Sequence, residues 1–302
     1  MLGSRARLMD GGAESDRAEG ARSGSLGILA GGGTLPGRVA AAARAAGRGV
    51  FVIGLEGFAD PTVLAPFPHA FARVGAAGRI RDLLRENACR ELVMVGSVRR
   101  PSLLALRPDA LAALLLARIG RTAFAGDDGF LSAIVRVLGE EGFAVLGVEA
   151  VLREAVGPAG LLSRAMPDAA AMADIERGVA VARALGSVDV GQGCVVQQGI
   201  VLAVEAAEGT DAMLARAAGL VRPGPGGVLV KLVKPGQDRR LDLPTLGPET
   251  LRLAREAGLR GVAFEAGGTL IVDRPATIAA ADAGGLFLLG LDPGNFAPAT
   301  QA

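Results

Sequence analysis

The chain has no tryptophan and no tyrosine, and only ten phenylalanines among 302 residues. Aromatic platforms for stacking sugars or single-stranded bases are therefore scarce. It has one histidine, His69, within PFPHAF. A metal centre with two or three histidines cannot be built from it within one chain, and metallophosphatases that depend on several histidines are excluded. A Ser-His-Asp triad would have to use His69, and no G-x-S-x-G elbow precedes a helix. We expect His69 in a loop between Pro68 and Ala70. The two cysteines, Cys89 and Cys194, lack C-x-x-C spacing. Neither a zinc finger nor a disulfide framework is implied, which fits a reducing cytosol. No apolar run reaches the length of about 18 residues that a spanning helix needs. No charge excess is present either: 32 basic residues face 31 acidic ones, for a net charge of +1. That balance argues against nucleic-acid binding, which usually shows as a basic surplus.

Lysine is scarce too. Only Lys231 and Lys234 occur, in KLVKPGQDRR, and the other thirty basic residues are arginine. Arginine offers a planar fork, whereas lysine offers a compact point charge suited to a crowded phosphate or carboxylate site. Pro235, Gly236, Gln237, Asp238, Arg239 and Arg240 follow Lys234, with Asp242 just beyond. Cations, a turn and a carboxylate this close together suggest a site for a charged ligand. The plainer alternative is chance placement on a solvated strand end. An aspartate among cations is suited to stay ionised and to bind a metal or a water.

Half the residues are hydrophobic and 21% are charged, so a sizeable core can be buried, and the length favours two domains. Residues 1–24 lack an apolar h-region and read as a disordered tail rather than a secretory signal. LGILA then runs into Gly31-Gly32-Gly33, a helix over Leu35–Ala46 and a strand over Val50–Gly54. This order opens a parallel α/β sheet. Strands at Phe71–Val74, Leu92–Gly96 and Phe143–Gly147 continue it, with helices at Arg79–Asn87, Pro108–Ile119 and Asp127–Glu141. We place a Rossmann-like parallel-sheet domain at residues 25–155 and a linker, a candidate hinge, at Gly157–Gly160. A second, mixed α/β domain follows at 161–292, with a tail at 293–302. It opens with a helix over Ala169–Leu185 and a hairpin around Gln198-Gly199, followed by a short helix over Asp211–Ala218 and a strand over Val228–Val233. The aliphatic stretch Leu103–Ile119 suits core, a dimer face or a wall for acyl chains.

Besides the lysine loop, two stretches carry chemistry. Gly31-Gly32-Gly33-Thr34 lets backbone approach a ligand, and the helix start after it favours anions. The spacing is not G-x-G-x-x-G, so a dinucleotide fingerprint is not met, and the loop also reads as a tight strand-to-helix turn. Glu205, Glu208 and Asp211 recur every three residues at a strand-to-helix corner, as oxygen ligands for Mg²⁺ would. There Thr210 caps the helix or bonds a phosphate; equally, a cap and a first-turn acid are ordinary. With histidine and cysteine sparse, a metal would be a hard cation held by oxygens: Mg²⁺ first, Mn²⁺ second. Backbone donors, acids and cations together fit phosphoryl chemistry.

GILAGGGTLP, DDGFL, VVQQGIVLAVEAAEGTDAML and KLVKPGQDRRLDLPTLG occur in this order from Leu26 to about Asp292. In them the chain resembles the LpxI-type UDP-2,3-diacylglucosamine pyrophosphatases of lipid A biosynthesis. The resemblance implies Mg²⁺-dependent hydrolysis of UDP-2,3-diacylglucosamine to 2,3-diacylglucosamine 1-phosphate (lipid X) and UMP, with water attacking the sugar-side phosphorus. It places the family's essential aspartate at Asp238; we read that residue as a metal ligand or water-orienting carboxylate, with Glu205, Glu208 and Asp211 as candidate partners around the metal. Lys231, Lys234, Gln237, Arg239, Arg240, Thr210, Thr34 and Gly31–Gly33 are then substrate contacts. It further implies product held between the domains, a homodimer joined through the C-terminal domains, and a cytoplasmic protein with peripheral contact to the inner-membrane surface. A non-catalytic carrier of an acylated nucleotide sugar and a nucleotide-dependent oxidoreductase are the alternatives; the acids beside the lysines favour an enzyme.

Overall fold

The computed structural model describes residues 24–98, 107–119, 127–241 and 243–296. Its first half is a five-stranded sheet built from β1 (Ser25–Ala30), β2 (Val50–Leu55), β3 (His69–Ala72), β4 (Cys89–Val95) and β5 (Ala144–Leu146), in the order β3-β2-β1-β4-β5. Every pairing is parallel. Central parallel strands are covered on both faces, which is why VFVIGL is buried throughout. Covering helices are α1 (Leu35–Ala45), α2 (Pro61–Leu64), α3 (Ala77–Glu86), α4 (Ala110–Ile119) and α5 (Asp127–Glu140). In α3, Ile80, Leu83 and Leu84 recur at helical spacing and are buried against the sheet.

The sheet reverses direction between β1 and β4. Loops leaving these neighbours turn to opposite sides and open a crevice at the carboxyl ends of the strands. The Gly31–Gly33 loop stands there. Two corrections concern the first half. His69 is not a loop residue: it opens β3, opposite Val52, because parallel pairing with β2 starts the strand two residues earlier than expected. In the aliphatic stretch, residues 103–106 lie outside the described ones, and Leu114 on α4 is 56% exposed rather than core.

The second half is a six-stranded sheet of β6 (Gly160–Leu161), β7 (Gly193–Gln197), β8 (Ile200–Val204), β9 (Val228–Lys231), β11 (Gly261–Glu265) and β13 (Phe287–Leu291). Its order is β6-β13-β11-β9-β7-β8. β9, β11 and β13 run parallel, while β6, β7 and β8 are antiparallel to their neighbours. A two-stranded pair, β10 (Thr245–Leu246) with β12 (Leu270–Ile271), lies beside it. Alternation sorts the strand residues by face. Val196, Val228 and Val230 pack under α6 (Ala169–Ser187), while Val195 and Leu229 pack under α7 (Gly209–Ala217), α8 (Pro248–Glu256) and α9 (Arg274–Gly284). The β7–β8 hairpin turns at Gln198-Gly199, both with positive φ (53° and 76°), as expected from the sequence.

The Gly157–Gly160 segment, the candidate hinge, is bonded into the second half. Gly157 donates to Thr269 O (2.8 Å) and accepts from Gly267 N (2.9 Å), and Gly160 already pairs in the edge strand β6. Leu243 and Leu270 of the second half share a buried cluster with Leu35, Val39, Val95 and Val148 of the first. Residues 293–295 form a 3-10 turn, and Arg183 donates to Phe296 O (2.9 Å), so this part of the expected tail is tied to α6. Among the described residues, no helix is long and apolar enough to cross a membrane.

Candidate functional site

A cleft of about 730 Å³ runs between the two halves. From the first half it is lined by Gly32, Gly33, Thr34 and Ser97; from the second by Gln192, Glu205, Thr210, Lys231, Arg239 and Arg240 among others. That size matches ordinary small-molecule sites.

The glycine loop divides into two jobs. Gly31 donates to Val95 O (2.8 Å), and Gly32 exchanges two backbone hydrogen bonds with Ser97 (2.8 and 3.1 Å). A Cβ on Gly31 would meet Gly96 O at 2.6 Å, and one on Gly96 would meet Gly32 O at 2.7 Å. The loops after β1 and β4 thus touch backbone to backbone across the crevice, which any side chain would prevent. Gly31 is used up in this contact and is not part of the lining. Gly32, Gly33 and Thr34 remain in it.

Both lysines are buried, at 3% side-chain exposure for Lys231 and 9% for Lys234. Each stands beside a carboxylate. Lys234 Nζ pairs with Asp189 Oδ1 at 2.5 Å, and its N–H donates to Gln237 Oε1 (3.2 Å), which closes the Pro235-Gly236 turn. Lys234 and Gln237, expected as substrate contacts, lie outside the lining and hold this turn instead. Lys231 does reach the cleft. Its Nζ donates to Thr210 Oγ1 (2.6 Å), and that hydroxyl donates to Glu205 Oε1 (2.8 Å). Thr210 is therefore not the helix cap; Glu208 occupies that position without a capping bond from its side chain. β8 and β9 both run antiparallel to β7 and so end on the same side of it, at Val204 and Lys231, which delivers Glu205 and Lys231 to one place.

The four expected metal ligands are not gathered. Among the described residues, no three of histidine, cysteine, aspartate or glutamate converge as a metal site. The reason is pairing. Glu208 accepts from Arg216 (2.7 Å), and its own backbone N–H and Arg216 hold its carboxyl below the usual range. Glu205 is held by Thr210 beside Lys231. Asp238 accepts three hydrogen bonds from Arg240: from Nη2 (2.6 Å), Nε (2.9 Å) and the backbone N–H (3.1 Å). The Arg240 guanidinium holds the Asp238 carboxyl below its ordinary value, and the arginine rises in turn. Asp238 is itself outside the lining, whereas Arg240 is in it. Asp211, also in the lining, carries no ion pair or side-chain hydrogen bond among the described residues. Magnesium typically takes one or two carboxylates plus substrate phosphates rather than a full protein cage. Of the four acids, Asp211 is the one that lines the cleft without an ion pair among the described residues, while Glu208 is engaged by Arg216. Arg239 leans on Glu265 (2.9 Å) at the rim, and Asp242 lies outside the described residues.

Sequence reasoning missed Gln192 and Ser97. Gln192 stands between Gly191 and Gly193 at the start of β7, and a polar residue framed by glycines at a strand end was the available signal. Ser97 follows the positive-φ Gly96, the second half of the loop contact.

Comparison with known proteins gives a consistent result. A UDP-2,3-diacylglucosamine pyrophosphatase LpxI from Caulobacter vibrioides is 45% identical over 274 residues, covering 89% of this chain and 98% of that protein. A solved CobK precorrin-6A reductase covers 92% of this chain and 90% of its own at 14% identity, with a TM-score of 0.32, too low to bear on function. The family model for the LpxI N-terminal domain matches residues 25–155 and that for the LpxI C-terminal domain residues 158–289. With both halves matched in order, and the cleft lying where they meet, the chain belongs to the LpxI family.

Proposed function

We propose that this protein is a hydrolase that cleaves the diphosphate of UDP-2,3-diacylglucosamine, releasing UMP and 2,3-diacylglucosamine 1-phosphate, as a step of lipid A biosynthesis. The observation that carries this is the cleft, which offers arginines and a lysine on one wall and the glycine-loop backbone on the other. Such walls neutralise a diphosphate and hold it in line, which is most of what phosphoryl transfer requires. The name of the relative supports the substrate.

In this reading Arg240 and Arg239 offset the diphosphate charge. Asp238 acts through Arg240: two hydrogen bonds fix the guanidinium and a third holds the Arg240 backbone N–H, where the arginine lines the cleft. Gly32, Gly33 and Thr34 contact the ligand from the facing wall, and water attacks the sugar-side phosphorus. A divalent cation, Mg²⁺ or Mn²⁺, would be held by Asp211 together with the substrate phosphates and would supply further charge neutralisation there. A homodimer and peripheral contact with the inner-membrane surface from a cytoplasmic location complete the reading.

The test is to incubate the purified protein with UDP-2,3-diacylglucosamine, with and without Mg²⁺, and to measure UMP. Binding without UMP release would make it a carrier. Light scattering and vesicle flotation check the dimer and the membrane contact.

A further inference from the structure

Two acceptor oxygens on cleft-lining residues have no hydrogen-bond donor among the described residues. Glu205 Oε2 and Gln192 Oε1 are both buried and both without a hydrogen-bond partner. Both residues line the cleft, and Glu205 is only 6% exposed. Buried acceptors left unpaired cost about 1–3 kcal/mol each, so a pair of them in one cavity points to an occupant that donates.

Local geometry brings them together. Glu205 N donates to Gly193 O (2.8 Å), the residue after Gln192, and Leu232 N, next to Lys231, donates to Gln192 O (2.9 Å). A Cβ on Gly193 would lie 2.7 Å from Glu205 Oε2, so the oxygen rests over a bare backbone. The carboxylate is also fixed from behind: Lys231 holds Thr210, and Thr210 holds Oε1. Its second oxygen lies against Gly193 without a hydrogen-bond partner among the described residues. A second cation is disfavoured there, because the Lys231 ammonium is already 4.0 Å from Glu205 Oε1.

Resting on the diphosphatase reading above, we infer that Glu205 and Gln192 hold the attacking water. One O–H of the water points to Glu205 Oε2 and the other to Gln192 Oε1, leaving the lone pair for phosphorus. As the new P–O bond forms, the proton on the Glu205 side passes to Oε2. The bridging P–O bond breaks, and its electron pair leaves with the departing phosphate. The proton then returns to solvent. Glu205 is thereby a catalytic residue and Gln192 a second ligand of the water, while Thr210 and Lys231 are positioning residues.

The test uses the full chain with Glu205→Gln and, separately, Gln192→Leu. Steady-state UMP release is measured against substrate and against Mg²⁺, and thermal unfolding is followed for each variant. Glu205→Gln keeps an acceptor for Thr210 but can present a donor where the water must donate. We expect kcat to fall on the order of 10²–10⁴-fold for Glu205→Gln and roughly tenfold for Gln192→Leu. KM and the Mg²⁺ half-saturation should stay within about threefold of wild type. A raised Mg²⁺ half-saturation would make Glu205 a metal ligand, and a raised KM at unchanged kcat would make the pair a substrate-hydroxyl site; either overturns the inference. If Glu205→Gln fails to fold, Gln192→Leu decides: wild-type kcat there sinks the idea. An active wild type with active variants defeats this inference alone, whereas a wild type that releases no UMP defeats the diphosphatase reading as well.

Discussion

Asp238→Ala separates positioning from stability most clearly. The carboxylate is 19% exposed and its partner Arg240 49% exposed, so the pair is half in water. An ion pair of this kind contributes about 1 kcal/mol to folding even with good geometry. That corresponds to a fall in Tm of about 2–4 °C for a unit of this size. The expected loss of turnover is far larger. If Asp238 fixes the guanidinium that stabilises diphosphate charge, its removal should cost on the order of 10²–10³ in kcat, or about 2.7–4 kcal/mol. A double-mutant cycle tells whether it acts through Arg240. Asp238→Ala, Arg240→Ala and the double variant should lose nearly the same activity, since the second change removes nothing the first left in place. The assay is UMP release, run beside thermal unfolding for all three. Losses that simply add, or an Asp238→Ala enzyme with near wild-type turnover, would refute the positioning role. A variant that fails only by unfolding would make Asp238 a structural acid.

Other consequences are open to direct measurement. EDTA should abolish UMP release, with Mg²⁺ or Mn²⁺ restoring it, while full activity in metal-free buffer would remove the cation from the reading. Gly31→Ala should destabilise the first half by about 1–3 kcal/mol, because its methyl group meets backbone oxygens of Gly96 and Ser97 that cannot swing aside; an unchanged Tm would contradict the loop contact. Lys231→Met should cost about 3–5 kcal/mol by stranding the buried Glu205 carboxylate, and a neutral result in chemical denaturation would refute that pairing. Burial pushes the Cys89 thiol up to about 11 and the Cys194 thiol up to about 12. Both therefore stay protonated at pH 8 and should react with a thiol reagent only in denaturant; rapid labelling of the native protein would count against their burial.

Local pattern made most of the fold legible. The apolar runs of β1, β2 and β4, the glycine after β1 and the caps and turns between helices are written in short stretches, and short stretches decide secondary structure. The turn at Gln198-Gly199 was readable because positive φ has few willing residues. The two lysines were readable as special by their scarcity, and both proved buried beside a carboxylate. What each charge is paired with was not readable. Glu205 and Lys231 are distant in the chain, and only the order β9-β7-β8 sets them beside Gln192, which belongs to no motif. Three acids with a regular spacing looked like a metal cage, yet Arg216 and Lys231 divide them. Asp238 and Arg240 are two residues apart, but sequence could not say that the arginine faces the cleft and the aspartate stands behind it. Hydrophobic periodicity is a local property of the chain and survives in sequence. Electrostatic partnership depends on distances of a few ångströms between strands, and those exist only after the sheet has formed.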